Sequence, residues 1–68
     1  MTRLRINGVD EEVTAATVGQ LLAARGIDLG ARFLAVAVNG AVVRRADWPV
    51  APLNVDDVVE IVRPLQGG

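Results

Sequence analysis

The residues with the clearest chemical potential in this 68-residue chain are its last two, Gly67-Gly68. Glycine has no side chain, so a Gly-Gly tail can lie extended in a channel too narrow for other residues, and it reaches backbone angles closed to them. An α-carboxylate on Gly68 is ionised at neutral pH, since such groups titrate at ~3.3–3.7. An ionised carboxylate is a competent nucleophile toward the α-phosphate of ATP. The acyl-adenylate so formed is open to attack by sulfur or nitrogen. Chemistry of this kind asks no catalytic side chain of the chain that undergoes it.

The rest of the composition agrees. The chain has no His, Cys, Ser, Tyr or Lys, and its side-chain hydroxyls are those of Thr2, Thr14 and Thr17. The usual nucleophiles reduce to three threonines and the carboxylates, with no His or Lys as activating base. No Cys or His means no thiol chemistry and no ordinary metal centre, so the expected metal ligands are none. The expectation is a protein acted upon rather than an enzyme, with no bound cofactor. ATP and magnesium would belong to a partner enzyme. Seven Arg against eight acidic residues give a net charge of −1, which argues against a nucleic-acid partner. The N-terminus alternates polar and apolar residues without the apolar run of a signal peptide. The longest apolar run, Phe33 to Val38, is far short of a membrane span. A soluble cytoplasmic protein with no membrane partner is expected.

Local patterns place the elements. Residues 2 to 7 alternate, with Leu4 and Ile6 on one face and Arg3, Arg5 and Asn7 on the other, which predicts a half-buried strand. Asn7-Gly8 is a strong hairpin signal, because both central residues of a type I′ turn need positive φ. Val9 to Val13 return, with Asp10 and Glu12 toward water. Thr17 and Gln20 have the spacing of a capping box, and Val18, Leu21 and Leu22 form an apolar helical stripe. Arg25 and Gly26 suit a helix end. Gly19 inside the helix costs up to ~1 kcal/mol relative to Ala. Phe33 to Val38 predict a second strong strand, with Leu34, Val36 and Val38 on one face and Ala35, Ala37 and Asn39 on the other. Asn39-Gly40 is a second hairpin signal, and Ala41 to Val43 return. Arg44 and Arg45 read as a solvated turn, and Trp48 as a packing residue whose N–H needs an acceptor. Leu53 to Val55 read as a single turn between Pro52 and the turn pair Asp56-Asp57. The last strand is expected over Val58 to Arg63, with Val59 and Ile61 inward, Glu60 outward and Pro64 as its stop.

One helix across one face of a mixed sheet is the economical way to bury these faces. A right-handed crossover then sets the first and last strands side by side and parallel at the centre. The expected fold is α+β, a β-grasp (ubiquitin-like) domain with a mixed four- to five-stranded sheet and one main helix. The domain would span 1–63, and 64–68 would be a flexible tail.

The sequence resembles the ThiS family over its whole length. The resemblance is carried by Phe33-Leu34-Ala35-Val36-Ala37-Val38-Asn39-Gly40, Asp47-Trp48, Val59-Glu60-Ile61-Val62 and Gly67-Gly68. It implies a sulfur carrier of thiamine thiazole synthesis. In that family an adenylyltransferase, ThiF, activates the C-terminal glycine, which becomes a thiocarboxylate. The thiocarboxylate gives its sulfur to thiazole synthase, ThiG. By resemblance Gly68 is the adenylated and thiocarboxylated residue. Gly67, Gln66 and Leu65 give the tail access to the partner's groove, and a sulfur donor system is a further partner. Many members have Gly-Asp before the last strand where this chain has Asp56-Asp57. Asp tolerates the left-handed conformation well enough for that turn to survive. Two alternatives remain: a MoaD-like small subunit of molybdopterin synthase, and a ubiquitin-like modifier or binding module. Ala35, Ala37 and Val62 with Arg5 and Arg63 are a candidate docking patch, small and apolar with an arginine rim. Arg3 and Arg5 equally serve to resist edge pairing.

Overall fold

The computed structural model describes residues 1–63. The tail expected over 64–68 lies outside the described residues. The elements are β1 (Thr2–Ile6), β2 (Val9–Val13), α1 (Val18–Ala24), β3 (Ala35–Val38), β4 (Ala41–Val43), a 3-10 turn (Arg45–Asp47) and β5 (Val58–Val62). The five strands form one sheet in the order β2-β1-β5-β3-β4. β1 and β5 pair in parallel at its centre, and the other pairings are antiparallel. This is the expected β-grasp arrangement.

The apolar alternation accounts for the layers. Leu4, Ile6, Val36, Val59 and Ile61 point from the sheet onto Val18, Leu21 and Leu22 of α1, with Leu34, Trp48 and Leu53 closing the edges. Fully burying one Val, Leu or Ile side chain contributes roughly 1.5–3 kcal/mol, so these residues supply the main favourable term. Glu11 is the polar residue on the inward side of β2. It lies opposite Leu4 and is met by Arg25 at the helix end, Nη1 to Oε1 at 3.0 Å.

Both Asn-Gly pairs form the expected turns, with φ of 50° and 84° at Asn7-Gly8 and 52° and 82° at Asn39-Gly40. The helix ends follow the sequence closely. Thr17 Oγ1 accepts from the Gln20 N–H at 3.2 Å. Gln20 Oε1 accepts from the N–H of Ala16 rather than of Thr17, at 2.8 Å. At the far end Gly26, at φ 74°, donates to Ala23 and Ile27 donates to Leu22, a complete Schellman motif with Ile27 buried behind it. The turn at Asp56-Asp57 survives as expected, with Asp56 at φ 69°.

Four local expectations change. Phe33 is not in a strand: it sits in a turn at φ 62°, is 78% exposed, and β3 begins at Ala35. A bulky residue in that conformation cannot continue a ladder. β5 ends at Val62, so Arg63 follows the strand. The single turn between Pro52 and β5 falls at Val55-Asp56 rather than at Leu53 to Val55, because Leu53 is drawn into the core. Arg45 is not merely a solvated turn residue. Its guanidinium stacks 4.8 Å from the centre of the Trp48 ring and donates to the carbonyls of Leu29 and Ala31, the latter at 2.6 Å. It thereby ties the 28–34 connection to the 45–48 turn. Trp48 is buried as expected, and its Nε1–H reaches the Val43 carbonyl at 3.0 Å.

Gly19 now has a reason. Its N–H donates to the Trp48 carbonyl at 2.9 Å while that of Val18 donates to Ala51 at 3.0 Å. The 48–53 connection is thus pressed against the first turn of α1. A Cβ on Gly19 would lie 3.2 Å from the Trp48 oxygen and 3.4 Å from its carbonyl carbon. Moving that carbonyl strains the bond it accepts. Gly19→Ala is therefore expected to lower stability by about 1 kcal/mol in urea unfolding, although alanine is the better helix former. A gain in stability would mean that the connection yields freely.

β5 is clasped by both turn asparagines. Asn7 Oδ1 accepts from the Ile61 N–H at 2.8 Å, and its Nδ2 donates to the Ile61 carbonyl at 3.3 Å. The side-chain amide stands in for the next residue of β1 and lengthens the parallel ladder. Asn39 Oδ1 accepts from Val58 N–H and its Nδ2 donates to Asp57, both at 2.9 Å. Asn7→Gly keeps the turn angles and removes only the amide. It is expected to destabilise the fold by about 1–3 kcal/mol and to speed amide exchange at Ile61. An unchanged unfolding midpoint and exchange rate would contradict the clasp.

Candidate functional site

The site follows from what lies on and beyond β5. The strand runs in the middle of the sheet toward Arg63, so the sheet fixes the point from which residues 64–68 depart. The site residues expected in the tail, Leu65, Gln66, Gly67 and Gly68, lie outside the described residues.

The sheet face away from α1 is laid out by strand pairing. Ala35 pairs with Val62, Ala37 with Glu60, and Ala37 on its other side with Val42. Side chains in such pairs share a face. Ala35, Ala37, Val42, Glu60 and Val62 line one shallow depression on this outer face. Val62 is 59% and Val42 77% exposed, so the apolar atoms here are open to contact. On the far side of β5, Val58 pairs with Arg5. Arg5 in turn pairs with Asp10 of β2, Nε to Oδ1 at 3.1 Å.

The structure therefore brings three of the five candidate docking residues, Ala35, Ala37 and Val62, into one patch. Arg5 stands at its edge, beyond Val58 and tied to Asp10. Arg63 is exposed just past the strand. Two members went unrecognised in the sequence. Val42 could have been found from the hairpin register, since a two-residue turn at Asn39-Gly40 places it opposite Ala37. Glu60 was read only as a solvent-facing residue, whereas it occupies the middle of the face with Val58 before it and Val62 after it.

Other arrangements can be set aside for the described residues. No three acidic side chains among them converge as metal ligands. No helix among them is long and apolar enough to cross a membrane. The first N–H groups of α1 already donate to Ala51, Trp48 and Thr17, so they are not offered to an anion.

Comparison with known proteins supports one family. A ThiS family sequence model matches residues 4–68. The crystal structure of the thiamine biosynthesis protein ThiS from Geobacter metallireducens superposes with a TM-score of 0.78 at 28% identity, covering 98% of this chain and 100% of that one. The solution structure of a thiamine biosynthesis protein from the same organism gives 0.77 at 28% identity, covering 98% and 88%. No match was found among curated proteins. With the family pattern running from the first strand through Gly68, on a sheet of the same architecture, this chain belongs to the ThiS family.

Proposed function

We propose that this protein is a sulfur carrier for thiazole formation in thiamine biosynthesis, with Gly68 as the working residue. The observation that carries the reading is the family match extending through Gly67-Gly68. The composition supports it, because a chain without Cys, His, Ser or Lys has few means of doing acyl chemistry itself and every means of being its substrate.

The chemistry runs in two steps on a partner adenylyltransferase of the ThiF type. A Gly68 carboxylate oxygen attacks the α-phosphorus of ATP, and pyrophosphate leaves with the electron pair of the broken P–O bond. A sulfide-level nucleophile then adds to the activated carbonyl and AMP leaves, carrying away one of the original carboxylate oxygens. The product is a thiocarboxylate in which one sulfur has replaced one oxygen. No electrons are gained or lost if the donor supplies sulfur at the sulfide level. Thiazole synthase, ThiG, is the acceptor. ATP and magnesium are the partner enzyme's substrates and bind there.

The fold's part is to present and dock. Leu65, Gln66 and Gly67 carry Gly68 from the end of β5 into the partner's site, and Gly67 leaves the channel narrow. The outer face with Ala35, Ala37 and Val62 supplies the transient contact, with Arg5 and Arg63 near its margin. Small apolar surfaces with a charged margin suit contacts that must release.

Two outcomes are expected. A chain lacking Gly68 should keep its unfolding midpoint and lose all ATP–pyrophosphate exchange with the adenylyltransferase; normal exchange would refute the assignment. Val62→Asp should leave the fold intact, since Val62 is 59% exposed, and should lower kcat/KM for adenylation at least about tenfold. An unchanged kcat/KM would remove this face from the docking contact.

A further inference from the structure

We infer that Glu60 is the specificity element of the outer face, and that the adenylating partner places an arginine or lysine side chain against it. The inference rests on the carrier reading for the partner's identity and on the sheet alone for its chemistry.

Among the described residues, five of the eight acidic side chains are engaged, Asp28 among them through the Gly30 N–H, and Glu12, Asp56 and Glu60 are not. Asp10, Glu11 and Asp47 pair with Arg5, Arg25 and Arg44, and Asp57 accepts from Asn39 and Asn54. Glu60 has no ion pair or side-chain hydrogen bond among the described residues, and residues 64–68 contain no cationic side chain. It nonetheless sits in the middle of an apolar face. Its row neighbours are Ala37 and then Val42, and Val58 and Val62 flank it along β5.

In the free protein this carboxylate is exposed and solvated. A partner that covered Ala35, Ala37, Val42 and Val62 would strip its water. Burying an unpaired carboxylate is strongly unfavourable, whereas burying it against a cation with good geometry recovers most of the loss. A wholly apolar partner surface is therefore rejected, and one carrying a single matched cation is accepted. The small side chains of Ala35 and Ala37 leave room for a long cationic side chain to lay its methylene stem along the face. A second copy of this chain is a poor occupant. Two-fold pairing of the face on itself sets Glu60 near its own copy, and Arg5, the arginine nearest the face across Val58, is held by Asp10.

The test compares wild type, Glu60→Gln and Glu60→Lys for binding to the adenylyltransferase at low and high salt. Each is measured in a chain lacking Gly68, so that docking is read apart from loading. Equal unfolding midpoints show that the exposed substitutions leave the fold intact. Glu60→Gln is expected to weaken binding by about 30-fold or more, because it leaves the partner's cation buried and unpaired. Glu60→Lys should abolish binding, and the salt dependence seen in wild type should flatten in Glu60→Gln. Equal or tighter binding of Glu60→Gln would overturn the inference while leaving the carrier reading intact. Weakened binding of Glu60→Gln, with no loading of the full chain, would uphold the inference and refute the carrier chemistry. Absence of binding by wild type, or self-association through this face in sedimentation, would overturn it.

Discussion

The placement of β5 is the constraint from which the rest follows. It lies between β1 and β3, so its backbone is paired on both edges. Each neighbouring hairpin adds an asparagine amide where the regular ladder would stop. A strand held in this way turns a short chain into a fixed base for whatever follows Arg63. Its inner side, Val59 and Ile61, is core, and its outer side, Glu60 and Val62, is surface. One segment of five residues thereby anchors the fold, builds the outer face and feeds the tail.

The remaining elements answer the problem of stabilising so few residues. One helix of seven residues is too short to be stable alone. It is held by its apolar stripe and by an N-terminal turn whose N–H groups are taken up by Trp48, Ala51 and Thr17. The 44–53 connection thus acts as a capping surface for the helix, and that explains a glycine at position 19. Arg45 extends the same device to the 28–34 connection by binding two of its carbonyls while stacking on Trp48. Irregular segments are fastened through backbone carbonyls, which lets them stay ordered without adding to the core.

Much of this was legible in the residues themselves. Periodicity of two marks Leu4 and Ile6, Val36 and Val38, Val59 and Ile61 as inward. Asn-Gly marks both hairpins. Thr17, Gln20 and Gly26 bound the helix. These signals are local, and local physics decides them. What escaped was decided across the fold. Nothing near Asn7 in the chain announces that its amide will reach Ile61, 54 residues on. Arg45 reads as a surface charge until Leu29 and Ala31 come within its reach. Phe33 continues the apolar run of β3 in sequence, yet its positive φ keeps it outside the ladder, which begins only at Ala35. Glu60 was legible as outward but not as central, because its neighbours Ala37 and Val42 come from the β3–β4 hairpin, which is not adjacent to β5 in the chain.

The chemistry of the proposed carrier lies in its backbone, and the chain around it is nearly free of competing nucleophiles. With no cysteine in the sequence and Met1 the one native sulfur, a thiocarboxylate would be the sulfur that alkylates fastest and the one that depends on ATP. The most direct measurement uses that fact. The chain is incubated with ATP, magnesium, a sulfide source and the adenylyltransferase, then treated with iodoacetamide and weighed intact and after fragmentation. A thiocarboxylate carrier should gain one ATP-dependent alkyl group per chain, carried on Gly68. An unlabelled chain that has kept its fold and its Gly67-Gly68 end, or an ATP-dependent label elsewhere in the sequence, would contradict the carrier assignment.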